Sequence, residues 1–192
     1  MGGRGARERI LTAAGRLFYQ DGIHATGIAA LTSVAHVSTR TFYQHFASKD
    51  ALVEAYLRRF ATDAPLPVLR ELSRADLPPA QRLVAIFDSI APGDSAVVRG
   101  CPFHNAAVEA AGEMPAVTHL VQQYKQAFQH SLIRIAAEAG AADPGGLGKQ
   151  LAVLYEGATA LATSCDDIRP VSDAKTAAAT LVRAALGPAP GR

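Results

Sequence analysis

From Pro115 to about Ala139 the apolar residues Val117, Leu120, Val121, Tyr124, Phe128 and Leu132 recur at spacings of three and four. Only an α-helix places positions so spaced on one face. The same period returns along most of the chain. Between Ala6 and Gln20 it runs through Ile10, Ala13, Ala14, Leu17 and Phe18; between Ala80 and Ala91 it runs through Leu83, Ile86, Phe87 and Ile90. No segment shows a convincing strand alternation, and no internal repeat is visible. The pattern predicts an all-α fold of about nine helices.

Start and stop signals divide the stripes. Gly22 stands where a left-handed residue ends the first helix. Thr26 is the expected N-cap of a second, short helix to about Val34, with Ile28, Leu31 and Ala35 on its inner face. Ser38 is expected to cap a third helix and Ser48 a fourth, the latter burying Leu52, Tyr56, Leu57 and Phe60. Pro65 and Pro67 then end or kink the fourth helix, or begin another at Leu66. Pro78-Pro79 punctuates next, "APGDSAVVRGCP" reads as a loop, and Pro102 and Pro115 open helices. "GAADPGG" is a linker with Asp143 as a cap; Leu147–Cys165 and Ser172–Leu186 form the last two helices across "DDIRPV", and the tail "GPAPGR" is expected to be disordered. Two domains are expected, 4–64 and 65–187, with the second and third helices lying in 27–46.

Charge separates along that boundary. Residues 1–64 carry eight Lys/Arg against five Asp/Glu, and residues 65–192 eleven against twelve, so the net charge of +2 hides a basic head on a slightly acidic body. Such a head suits an anionic partner, although a mildly basic surface with no partner fits the count equally well. No run of 18 apolar residues predicts a membrane span, the charged opening "MGGRGARERI" predicts no secretory signal, and the two cysteines, Cys101 and Cys165, predict reduced thiols. The expectation is a cytoplasmic protein.

The stretch "VSTRTFYQHFASKDAL", Val37 to Leu52, crowds hydroxyl and cationic side chains onto a few apolar anchors. Two short helices joined by a three-residue turn have the dimensions of a helix-turn-helix, in which the second helix enters the DNA major groove. Val37, Phe42 and Phe46 would pin that helix, leaving Thr39, Arg40, Tyr43 and Gln44 outward. Arg grips guanine bidentately, Gln pairs with adenine, and a Thr methyl touches thymine. Thr26, Tyr43, His45 and Lys49 suit phosphate contacts, Lys49 beside the free N–H groups of the following helix. Ser38 and Thr41, in the first turn, complete the expected DNA-binding set.

These residues resemble the DNA-binding head of the TetR (tetracycline-repressor-like) transcriptional regulators. The likeness runs from Glu8 to about Phe60, through "RILTAAGRLFYQDGIHAT" and "VSTRTFYQHFASKDAL". Its most specific piece is Thr41-Phe42-Tyr43-x-His45-Phe46-x-Ser48-Lys49-Asp50-x-Leu52. The chain departs from the pattern at His36, where the family usually has Gly, at Ala30, often acidic there, and at Arg40, often small or Lys. His tolerates positive φ better than most residues, so the turn is expected to survive with some strain. The resemblance implies a homodimeric repressor that binds a double-stranded palindromic operator and is released by a small molecule. "RGCPFHNAAVEA" is similar to a "GC…NAA.E" element at a helix start in some members.

The resemblance places dimerisation on the last two helices. Their small and branched residues Leu154, Ala158, Leu161, Ala178, Leu181 and Ala185 are the candidates, with intramolecular packing as the other explanation. Phe60, Phe87, Phe103, Tyr124, Phe128 and Tyr155 are either plain core or the lining of a pocket for a flat or lipophilic ligand, into which His104 and Asn105 would bring polar groups. Glu156 interrupts the apolar run "LAVLYEGATALA". It suits a cationic ligand if it faces that pocket; otherwise it lies at a solvent edge or pairs with Arg134 or another base. Cys101-x-x-His104 lacks the ligands of a metal site, no cofactor is implied, and no phosphate loop, nucleophile elbow or His-Glu-x-x-His argues for an enzyme. A helical binding protein or enzyme with a non-functional head is the alternative, and His36 is the feature that favours it.

Overall fold

The computed structural model describes residues 3–62, 66–90 and 100–187. Among them stand ten α-helices and one 3₁₀ turn: α1 (Gly3–Gln20), α2 (Ile28–Ala35), α3 (Thr39–His45), α4 (Lys49–Thr62), α5 (Pro67–Leu72), α6 (Pro79–Ala85) followed by the 3₁₀ turn Ile86–Ser89, α7 (Pro102–Glu109), α8 (Pro115–Glu138), α9 (Pro144–Cys165) and α10 (Arg169–Leu186). The all-α expectation is met. The additional helix is α5, which Pro67 opens as its N-terminal residue after the break. The expected helix over Ala80–Ala91 tightens to 3₁₀ at Ile86. Most of the loop expected at 91–102 and most of the tail after Leu186 lie outside the described residues.

The chain forms two compact units, one of residues 1–64 with 101–123 and one of 65–100 with 124–192. In the first, α1 packs on α2, α3 and α4. The periodic stripe of α1 explains why: Ile10, Ala13, Ala14, Leu17 and Phe18 are all buried. Leu31 of α2, Phe42 of α3, and Leu52, Val53 and Leu57 of α4 are fully enclosed, each contributing about 1.5–3 kcal/mol through burial. Tyr56 is buried edge-on to Phe18 and Phe60, with ring centroids 5.6 and 5.3 Å away. Burial pushes its phenol well above the ordinary value, with smaller contributions from Tyr19 and Cys101.

In the second unit α10 lies along α9 and touches α6 and the 3₁₀ turn. Both last helices begin three residues earlier than expected, because Pro144 and Pro170 lie in their first turns rather than before them. Asp143 caps α9 as expected, accepting from the Gly146 N–H at 2.9 Å. Gly148 is required by close approach: a Cβ there would lie 2.8 Å from the backbone nitrogen of Ile133 on α8. Arg82 of α6 reaches Glu138 of α8 at 3.3 Å, and Arg134 pairs with the same carboxylate. No helix among the described residues is long and apolar enough to cross a membrane.

Candidate nucleic-acid interface

The turn between α2 and α3 is built from three residues with separate tasks. His36 is left-handed, at φ 51° and ψ 51°. Its N–H donates to the Ser33 carbonyl at 3.2 Å, and the Val37 N–H donates to the Thr32 carbonyl at 3.0 Å. Those two bonds are the paired closure of a Schellman C-terminus, so the turn survives without glycine. Arg9 on α1 adds a third constraint, donating from Nε to the Ala35 carbonyl at 3.0 Å. Ser38 is extended and caps α3: its Oγ accepts from the Thr41 N–H at 3.0 Å and lies 2.8 Å from the Thr41 hydroxyl.

The α3 helix divides cleanly into an anchor and a display face. Phe42 is fully buried, and Phe46, just beyond the helix, is nearly so, with ring centroids 6.0 Å apart. The Arg7 guanidinium lies 5.3 Å from the Phe46 centroid. Opposite the anchor, Thr39, Arg40 and Gln44 are exposed and Tyr43 is 53% exposed, its ring edge resting on Phe42. The helix TRTFYQH carries no carboxylate, so nothing on it repels a polyanion. Ser38 is exposed, while Thr41, His45 and Lys49 are half-buried.

Thr26 requires a correction. It is 3% exposed, and its hydroxyl donates to the Gly22 carbonyl at 2.7 Å. Gly27, not Thr26, is the N-cap of α2, so the Thr26 hydroxyl is an internal brace with no reach to phosphate. The Lys49 ammonium lies 3.3 Å from the His24 carbonyl, a contact to the loop before α2 rather than to the first turn of α4. Ser48 caps that turn, accepting from the Ala51 N–H at 3.1 Å.

The candidate ligand residues fall in both units. In the first, Phe103 is buried 6.1 Å from the half-buried Phe60, and His104 and Asn105 are half-buried in the first turn of α7. In the second, Tyr155 meets Phe128 at 5.2 Å and Phe87 at 6.0 Å, all three buried, and its hydroxyl lies 3.3 Å from Ser89 Oγ. Glu156 accepts from the Lys125 ammonium at 2.5 Å, and that ammonium lies 5.9 Å from the Tyr124 ring. The carboxylate is therefore already charge-balanced, and Arg134 is not its partner. Of the expected dimer residues, Ala158 and Ala178 are buried within the chain itself and offer no surface to a second copy; Leu154, Leu181 and Ala185 are half-buried and Leu161 is 55% exposed. No cluster of His, Cys, Asp or Glu able to hold a metal occurs among the described residues.

A braced helix-turn-helix carrying an exposed, carboxylate-free second helix, with only helices among the described residues, has the form of a DNA-reading head. Residues 10–56 match the family described as bacterial regulatory proteins, tetR family, and residues 79–178 match the tetracyclin repressor-like C-terminal domain. The chain belongs to the TetR family. Among its relatives, the HTH-type transcriptional repressor DhaR of Mycobacterium sp. strain GP1 is 26% identical over 131 residues, covering 66% of this chain and 65% of DhaR. The HTH-type transcriptional regulator UidR of Escherichia coli K12 is 39% identical over 51 residues, 27% of this chain and 26% of UidR. The chain thus aligns with just under two thirds of DhaR and about a quarter of UidR. A solved TetR-family transcriptional regulator from Streptomyces coelicolor superposes with a TM-score of 0.82 at 29% identity, over 96% of this chain and 97% of that one. E. coli NemR in its reduced form gives 0.80 at 18% identity over 91% and 95%, a likeness of fold.

Proposed function

We propose that the chain is a repressor that binds a palindromic operator as a homodimer and leaves it when a small lipophilic molecule binds its C-terminal domain, with 4–64 as the DNA-binding domain and 65–187 as the ligand and dimerisation domain. The observation that carries the reading is the Thr39, Arg40, Tyr43 and Gln44 face on a helix held from behind by Phe42 and Phe46. Arg40 and Gln44 read base edges; Ser38, Thr41, Tyr43, His45 and Lys49 contribute at the backbone. The alternative of a non-functional head leaned on His36, whose turn is closed by both of its bonds.

Dimerisation supplies the second reading head that a two-fold operator needs. The surface that supports it is the α9 row Val153, Gly157 and Leu161, in which Val153 is 72% exposed; Leu154, Leu181 and Ala185 are half-buried. For the ligand, the aromatic residues around Tyr155 favour an apolar molecule, and the Lys125–Glu156 pair removes the motive for a cation. As an equilibrium, ligand and DNA prefer different conformations and so weaken one another.

The test is in vitro selection of random duplex DNA on the purified protein at near-physiological salt, with light scattering for the oligomer. Enrichment of a two-fold-symmetric site by a dimer is the expected result. Binding that is salt-sensitive but unselective, or a monomer in solution, refutes the reading.

A further inference from the structure

Residues 21–27 join α1 to α2, so the helix-turn-helix hangs from this connection. The connection is anchored inside by the buried Ile23 and Thr26, and outside by Glu109, the last residue of α7. The Glu109 carboxylate accepts from the His24 backbone N–H at 2.7 Å. Its carbonyl is one of those a helix C-terminus leaves without an internal donor, and it lies 2.5 Å from His24 Nε2. The Glu113 carboxylate stands 4.0 Å from the same ring nitrogen. Gly22 makes room for the contact: it sits at φ +95°, and a Cβ there would lie 3.2 Å from Glu109 Oε2. Lys49 on the far side of His24, and Thr26 bonded to Gly22, complete the hold.

We propose that Glu109 is a positioning residue for DNA reading: by clamping the α1–α2 connection it helps set where α2 and α3 stand against α1. The proposal rests on the repressor reading above. The Glu109 carboxylate accepts from the His24 backbone and its carbonyl meets the His24 ring, so two points of the segment leading into α2 are tied to one residue.

The test uses the full chain and the duplex its selection yields, with a random duplex of equal length as control. Glu109→Ala is expected to weaken binding to the selected duplex about tenfold, the scale of one hydrogen bond to a charged group. Glu109→Gln, whose amide oxygen still accepts from His24 N–H, is expected to stay within about threefold. Binding to the random duplex is unchanged in both, and Tm falls by no more than about 5 °C in Glu109→Ala and about 2 °C in Glu109→Gln. Hydrogen exchange at the His24 amide should accelerate in Glu109→Ala while that of the α1 core does not. If Glu109→Ala binds the selected duplex as the wild type does, the clamp has no part in reading. If Ala and Gln lose binding equally, with a fall in Tm, the residue serves stability alone. If the wild type selects no site, the repressor reading itself fails, a result distinct from either.

Discussion

Replacing His36 with glycine tests the geometry on which the reading head depends. A non-glycine residue in the left-handed region costs about 1–2 kcal/mol. Glycine escapes that cost but loses about 0.5–1 kcal/mol more backbone entropy on folding. With His36 at φ 51° and its side chain exposed, no packing is sacrificed. His36→Gly is therefore expected to stabilise the head by about 0.5–1 kcal/mol, a rise in Tm of about 1–4 °C for a chain of this size. His36→Val, β-branched in the same conformation, should instead destabilise by about 1–2 kcal/mol. Circular-dichroism melts of the three proteins, with urea unfolding to obtain the free energies, give the order Gly, His, Val. Affinity for the selected duplex should change less than twofold for Gly, since the turn's two bonds are retained. A Gly variant no more stable than wild type, together with a harmless Val, would refute a left-handed His36 and the Schellman closure with it.

Ser38→Ala removes the cap of α3 and should cost about 1 kcal/mol in urea unfolding, with Thr not reproducing the loss because its hydroxyl still accepts. Arg40→Ala should weaken binding to the selected duplex by about 1–3 kcal/mol and leave random-duplex binding nearly unchanged, whereas Lys49→Ala should weaken both and flatten the salt dependence; equal losses for Arg40→Ala in the two titrations would remove it from base reading. Tyr56 gives a pH dependence of known sign. Its phenol is raised above its ordinary 10.0 in the fold, so above that pH the unfolded chain ionises first and stability falls, by about 1.4 kcal/mol per pH unit. Tyr56→Phe should lessen that alkaline loss, and parallel wild-type and variant curves between about pH 9 and 11 would contradict the burial argument.

The head was the most legible part of the chain. Thr39, Arg40, Tyr43 and Gln44 are poor core residues set against Phe42 and Phe46, so the polarity of the stretch fixes which side of α3 faces out. The Ser38 and Ser48 caps follow from local chemistry alone. Thr26 shows the limit of the same rule: a hydroxyl before a helix can brace the preceding loop instead of capping, and Gly22, its actual acceptor, lies four residues back. Pro144 and Pro170 read as breaks although they sit in helical first turns, where a missing N–H costs nothing. In the body, periodicity marked Phe87, Phe128 and Tyr155 as inward-facing but not that they meet each other. Glu156 demanded a partner, yet Lys125 lies 31 residues away, beyond any pattern in the sequence. The Glu109–His24 clamp spans 85 residues and was visible only as the terminal Glu of a short motif.

The division of α3 into a buried edge and a free one has an evolutionary consequence. Substitutions at exposed positions away from caps and packing change stability by less than about 0.5 kcal/mol. Thr39, Arg40 and Gln44 can therefore be exchanged in nearly any combination while Phe42 and Phe46 keep the helix seated, whereas Tyr43 is tied to the anchor by its ring edge on Phe42. After a gene duplication, one copy can drift to a new operator without crossing an unstable intermediate. A library randomised at Thr39, Arg40 and Gln44 should yield mostly folded proteins, with altered DNA preference as the trait that varies.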